Sequence, residues 1–227
     1  MAQKLLLIRH GETGEQYDGC YIGSTDVSLS ERGRRQVGAM EGFFRHQPFD
    51  RFLCSPLLRC RETAEVILTS KEGGFEIDQD LREIDFGQWE GMGFEEIVKV
   101  SPERVRRWKA YEPDFAFPGG ERIGDFLERI RRIAERVSKD PAETVVLCTH
   151  GGVIRTLICH FLRLRPWQYI LFTVKPASLT TIELFDGGGV LSGLSERGTE
   201  WTAPVDDGQW PMESREIACI APGRNKG

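Results

Sequence analysis

The sequence predicts an α/β fold, a three-layer sandwich in which a mostly parallel central sheet is flanked by helices and carries a lid insertion. Three observations lead there. Short apolar runs at Leu5–Ile8, Phe49–Cys54 and Thr144–Cys148 have the length of buried strands. The stretches between them are longer and place apolar residues at helical spacing, and strands alternating with helices give a largely parallel sheet covered on both faces. Two of the apolar runs end in a histidine followed by glycine, His10-Gly11 and His150-Gly151, at the sheet rim where α/β proteins place ligands.

The elements follow in order. After the first strand comes a polar, glycine-containing loop from Thr13 to Asp26. Ser28 or Ser30 then caps a helix running to about Gln47, with Val37, Met40 and Phe44 on one face. Past Phe49–Cys54, the pair Ser55-Pro56 reads as N-cap and first residue of a helix to about Thr69. Gly73-Gly74 is a turn and Phe75–Asp78 a short edge strand. Residues 82 to 120 are the least regular part, rich in Trp, Phe, Gly and Pro, with helices near Phe94–Val100 and Pro102–Ala110. The spacing of Ile123, Phe126, Leu127, Ile130, Ile133, Ala134 and Val137 predicts an amphipathic helix. The third strand and His150 lead into a helix to about Leu162, and Ser178–Phe185 with Val190–Leu194 make a closing pair turned at Asp186–Gly189. Residues 1–195 are therefore expected to form one domain, with the lid at about 86–120. The polar tail 196–227, broken by Pro204, Pro211 and Pro222, is expected as a C-terminal extension.

A net charge of −5 argues against a general nucleic-acid binder, although a local arginine pocket can still hold a small anion. Lys4 is followed by only four apolar residues before Arg9, too few for the core of a signal peptide, and no apolar run approaches a membrane span. The six cysteines show no C-x-x-C spacing, which predicts reduced thiols in a cytoplasmic protein with neither membrane nor nucleic-acid partners.

Four stations carry chemistry. Arg9-His10-Gly11-Glu12 sets an imidazole beside a guanidinium, the combination a phosphoryl-transfer site wants: a neutral nucleophile next to an anion clamp. Arg59 falls in the first turn of a helix, whose N-terminal amides and dipole favour anions. Glu83 and Asp85 lie among apolar residues, a setting that keeps a carboxyl protonated and able to act as a general acid. Thr149-His150-Gly151-Gly152 repeats the strand-end His-Gly step. His46 and His160 have no such context. No Walker-type loop, G-x-G-x-x-G or G-x-S-x-G elbow occurs, so nucleotide folds and an esterase have no support.

Taken together, Arg9-His10-Gly11-Glu12-Thr13, Leu29-Ser30-Glu31-Arg32-Gly33, Ser55-Pro56-Leu57-Leu58-Arg59, Glu83 with Phe86-Gly87-Gln88-Trp89-Glu90-Gly91, Gly120-Glu121 and His150 through Arg155 resemble, in order and spacing, the histidine phosphatase superfamily, the phosphoglycerate-mutase-like group. The resemblance spans about Lys4 to Phe185. It implies that His10 is phosphorylated, that Arg9, Arg59 and His150 hold the phosphoryl oxygens, and that Glu83 is the proton donor. It also implies that Gln16, where the family often has asparagine, and Gly23 and Gly151 contact substrate. Neighbouring arginines then keep His10 unprotonated and carry the charge a metal would otherwise neutralise, so neither metal nor cofactor is expected. Phe86–Gly91 resembles the phosphatase-type version of the motif, whereas mutases usually carry tyrosine before the glycine. The Asp85–Gly91 run is similar to the α-ribazole phosphatase group, with phosphosugar phosphatases alike at this level. The expected partner is thus a small phosphomonoester, with a phosphoglycerate mutase or a non-catalytic phospholigand-binding domain as alternatives. Trp89, Phe94, Trp108, Tyr111 and Phe115 either contact an organic leaving group or pack the lid onto the domain.

Overall fold

In a computed structural model of the chain, residues 4–71 and 73–195 are described. The expected C-terminal extension lies outside the described residues. Six strands form one sheet: β1 (Lys4–Arg9), β2 (Arg51–Cys54), β3 (Glu76–Ile77), β4 (Thr144–Thr149), β5 (Leu179–Phe185) and β6 (Gly188–Ser195). Their order is β3-β2-β4-β1-β5-β6. From β3 to β1 the strands run parallel, while β5 and β6 are antiparallel. The helices are α1 (Glu31–His46), α2 (Leu58–Ile67), α3 (Phe94–Val100), α4 (Pro102–Lys109), α5 (Ile123–Ser138) and α6 (Gly151–Phe161).

The near-continuous apolar character of β1 and β4 has a direct cause: both faces of the sheet are covered. Leu5, Leu7, Val145 and Leu147 belong to a core shared with Ile130 and Ile133 of α5 and Leu157 of α6. Leu6, Ile8, Val146 and Cys148 point the other way, into a core with Val37, Met40 and Phe44 of α1 and Ala64 and Ile67 of α2. The three-layer sandwich follows from this alternation of side chains.

Several local expectations are refined. Ser30, rather than Ser28, caps α1 by accepting from the Gly33 N–H; the Ser28 hydroxyl instead bonds the Glu62 carboxylate at 2.9 Å. Helix α2 begins at Leu58, two residues later than Pro56. Ser55 does not cap it, because its hydroxyl is drawn to His150, and the Asp26 carboxylate takes the Leu58 N–H at 2.6 Å instead. The closing hairpin is tighter than expected: Phe185 pairs with Gly188, leaving Asp186-Gly187 as the turn, with Gly187 at φ 92°. A 3-10 segment at Pro166–Leu171, which carries no strong periodicity, was not anticipated by the pattern.

What positions the site is the pairing of β1 with β4. Arg9 sits opposite Thr149, and the His10 N–H donates to the Thr149 carbonyl at 3.0 Å, so both strands deliver a histidine at the same height. The loop after β1 is then pinned to α1. The Ser30 N–H donates to the Glu12 carbonyl at 3.0 Å, and a Cβ on Gly33 would lie 2.0 Å from that same oxygen.

Glycine-to-alanine in an unconstrained helix interior gains about 1 kcal/mol. At Gly33 the clash should reverse the sign. Gly33→Ala is expected to destabilise the protein by about 1–3 kcal/mol, read as a lowered urea midpoint at unchanged m-value.

Candidate active site

His10 and His150 meet at the carboxyl edge of the sheet, with ring centroids 5.1 Å apart and planes at 61°. His10 is 8% exposed and His150 fully buried. The hydrogen bonds decide which nitrogen is which. His10 Nδ1 lies 2.7 Å from the Gly11 carbonyl, which can only accept, so Nδ1 carries the proton and Nε2 keeps its lone pair. His150 Nδ1 accepts from Arg59 Nε at 3.3 Å, so its proton is on Nε2, which donates to Ser55 Oγ at 2.8 Å. Both imidazoles are held well below the ordinary histidine value of 6.5. Burial is the largest cause at each, followed at His10 by the charges of Arg59 and Arg9. The arginines thus act in the expected direction, but desolvation does more.

Arg59 is only 1% exposed. Besides the bond to His150, its two Nη groups donate to the carbonyls of Thr25 (2.8 Å) and Gly23 (2.7 Å). One N–H on each Nη remains. Those carbonyls are in turn held by Glu90, whose carboxylate accepts the amides of Gly23, Ser24 and Thr25 at 3.0–3.2 Å. The N-terminus of α2 does not serve as an open anion site, since Asp26 occupies its Leu58 amide. Arg9 donates to the Val174 carbonyl at 2.5 Å, and its buried Nε has no hydrogen-bond partner. A buried donor left in this state is costly, and an anion supplies the missing acceptor. Burial pushes the Arg9 guanidinium down to about 10.

Glu83 is half-buried rather than enclosed by apolar side chains. One oxygen accepts the Ile84 N–H at 3.0 Å and the other the Gly152 N–H at 2.8 Å, at the start of α6. Gly152 is needed for this approach, because a Cβ there would come within 2.4 Å of the carboxylate. The loop carrying Glu83 is fastened by Arg129, which is 4% exposed. It donates to the carbonyls of Asp80, Arg82 and Glu83 at 2.6–3.1 Å and forms a two-pronged pair with Glu121 at 2.8 and 2.9 Å.

The other expected substrate contacts fare differently. Gly151 borders both Arg9, whose Cζ would lie 3.3 Å from a Gly151 Cβ, and the adjoining cavity. Gly23 has its N–H on Glu90 and its carbonyl on Arg59, so in this structure it belongs to the frame rather than to the open pocket. Gln16 is exposed, and its amide folds back toward Gly14. His150 has both nitrogens engaged inside the protein, with Arg59 and Ser55. The sequence marks Ser55 only as a helix cap and gives Glu90, Gly152 and Arg129 no part in the site. Ser55, Glu90 and Gly152 lie within the recognised motifs, so position was a usable signal. Arg129, on an amphipathic helix, gave none.

A cavity of about 730 Å³ meets the site at Glu83, Gly151 and Gly152. Phe94, Trp108 and Tyr111 line it, together with Tyr21 and Tyr169, whereas Trp89 and Phe115 are buried inside the 86–120 segment. Three of the five aromatics thus face the cavity and two pack the lid. His10, His150 and Arg59 do not line this cavity.

Two outcomes follow. Removing Arg129 leaves Glu121 and three carbonyls without their donor, so Arg129→Met should cost about 3 kcal/mol or more in chemical denaturation. Because both histidines are depressed in the folded state, the unfolded chain binds protons near pH 6.5 that the native state does not. Stability from this source is complete above about pH 6.5 and is lost as pH falls from there, by about 1.4 kcal/mol per pH unit for each histidine. Substituting His10 by asparagine should reduce that acid slope by one proton; an unchanged slope counts against a buried neutral imidazole.

The geometry agrees with comparisons to known proteins. The Histidine phosphatase superfamily (branch 1) profile matches residues 5–197. The adenosylcobalamin/alpha-ribazole phosphatase of Salmonella typhimurium is 29% identical over 195 residues, covering 86% of this chain and 96% of that protein. Phosphoserine phosphatase 1 of Hydrogenobacter thermophilus is 31% identical, covering 85% and 92%. The crystal structure of the alpha-ribazole phosphatase from Shigella flexneri superposes with a TM-score of 0.77 at 27% identity, covering 86% and 96%. The chain belongs to the histidine phosphatase superfamily, branch 1, and is a phosphatase.

Proposed function

We propose that the protein hydrolyses a small phosphomonoester in two steps through a phosphohistidine on His10. The observation that carries this reading is the His10 imidazole: buried, neutral, tied at Nδ1 to the Gly11 carbonyl and therefore presenting Nε2 beside two guanidiniums. Nε2 attacks phosphorus, and the N–P bond forms as the ester P–O bond breaks. Glu83, having taken up a proton from solvent before this step, gives it to the departing alkoxide. The carboxylate so formed takes a proton from water, whose oxygen attacks phosphorus. The N–P bond breaks, phosphate leaves, and Glu83 is protonated again. Charge in such transfers lies on the non-bridging oxygens, so the clamp carries most of the stabilisation. The partnerless Nε of Arg9 and the spare N–H groups of Arg59 are its donors, and His150 keeps Arg59 aimed.

The organic half of the substrate occupies the aromatic cavity, with residues 86–120 as its lid on the 1–195 domain. The two specific candidates are α-ribazole 5'-phosphate and a phosphosugar; the walls contributed by Tyr21, Trp108 and Tyr111 favour the aromatic one. Free thiols at Cys54, Cys60, Cys148 and Cys159 support a reducing, cytoplasmic setting.

His10→Ala should abolish phosphate release and the acid-labile, alkali-stable label left on the quenched wild-type enzyme; turnover near wild type would end this reading. Arg59→Met should lower kcat/KM by about 100-fold, roughly 3 kcal/mol. Glu83→Gln should slow alkyl phosphates far more than 4-nitrophenyl phosphate, whose leaving group needs no proton.

A further inference from the structure

The mechanism above leaves Arg155 unused. It stands one turn into α6, where its Nε–H donates to the Gly151 carbonyl at 3.1 Å, and this turns the guanidinium back toward the site. The guanidinium carbon lies 5.0 Å from the centre of the Tyr169 ring, within cation–π range. Arg155 forms part of the wall of the 730 Å³ cavity, and among the described residues no carboxylate forms an ion pair with it. Its charge acts on Arg9 and on the hydroxyls of Tyr21, Tyr111 and Tyr169. The cationic neighbours acting on His10, by contrast, are Arg59 and Arg9. Arg155 therefore shares a cavity wall with Glu83, Gly151 and Gly152, a wall to which the nucleophile His10 does not contribute.

A half-buried cation without a counter-ion is costly to hold, and the face of Tyr169 offsets only part of that cost. The cavity is large enough for a drug-sized ligand. Its aromatic walls supply contact area but no directional bond, whereas a guanidinium fork supplies direction. We propose that Arg155 is a specificity-determining residue: it binds an oxygen acceptor on the organic half of the phosphomonoester. It thereby favours leaving groups with a carboxylate, hydroxyl or ring oxygen near the ester over plain hydrocarbon ones. This rests on the phosphatase reading above.

The test compares kcat/KM for phenyl phosphate and 3-carboxyphenyl phosphate in wild type, Arg155→Ala and Arg155→Lys. The wild type should prefer the carboxylated ester by tenfold or more. Arg155→Ala should bring that ratio to within twofold of one, chiefly through the KM of the carboxylated ester, and Arg155→Lys should fall between. Arg155→Gln, which keeps most of the side chain's length, replaces the alanine variant should that fail to fold. A ratio equal in wild type and variant overturns the proposal. So does an equal loss on both esters accompanied by weaker inhibition by inorganic phosphate, which would place Arg155 in the phosphoryl clamp. In either case continued hydrolysis of phenyl phosphate through labelled His10 leaves the phosphatase reading standing. Absence of both hydrolysis and label in the wild type overturns the two together.

Discussion

The parallel register between β1 and β4 is the constraint on which the rest of the site depends. Arg9 opposite Thr149 means that the next residue of each strand is a histidine, and a hydrogen bond from His10 to the Thr149 carbonyl fixes their height. Parallel neighbours share a carboxyl edge, so the loops that follow β1, β2 and β4 all open there. Ser55, immediately after β2, reaches His150 for the same reason. A slip of one residue would send each of these side chains to the opposite face, and the heavily buried cores on both sides make that slip prohibitively unfavourable.

Around this edge, arginines divide by how fully their donors are used. Arg129 is committed to structure: Glu121 and three carbonyls take its N–H groups, and the result is a fixed loop carrying Glu83. Arg59 is half committed, braced by His150 and two carbonyls with an N–H to spare on each Nη. Arg9 keeps a buried Nε with no partner. Carboxylates hold the frame at one remove, Glu90 through the 23–25 loop and Glu121 through Arg129, and among the described residues none forms an ion pair with Arg9 or Arg59. Pre-aimed donors of this kind need no reorganisation as charge moves during reaction.

The lid shows a second division of labour. Trp89 and Phe115, with 2% and 1% exposure, hold the segment together, while Trp108 and Tyr111 turn toward the cavity. Tyr111 does so from a left-handed backbone conformation, φ 54°, two residues beyond the end of α4, and its ring lies 4.9 Å from that of Tyr169. A non-glycine residue held there stores strain; the ring contact with Tyr169 helps to hold it in place.

Strands, helices and the two strand-end histidines were legible in the chain because burial on both faces of a parallel sheet writes unbroken apolar runs, and because a helix writes its period. The motif residues likewise located Arg9, Arg59 and Glu83. What the sequence could not state was anything that depends on a partner far along the chain. Ser55 looks like a helix cap until His150, 95 residues away, claims its hydroxyl. Gly23 looks like a ligand contact until Glu90 and Arg59 occupy both of its backbone groups. The contacts of His150 with Arg59 and Ser55 could not be read from its strand-end motif either. Local order and residue type follow from near neighbours and patterning, so spacing alone determined the fold class, and the resemblance to a known family named the candidates Arg9, His10, Arg59, Glu83 and His150. Which hydrogen bonds each of them retains for a ligand was decided only by tertiary structure, since a donor can be spent once and its competitors arrive from elsewhere in the fold.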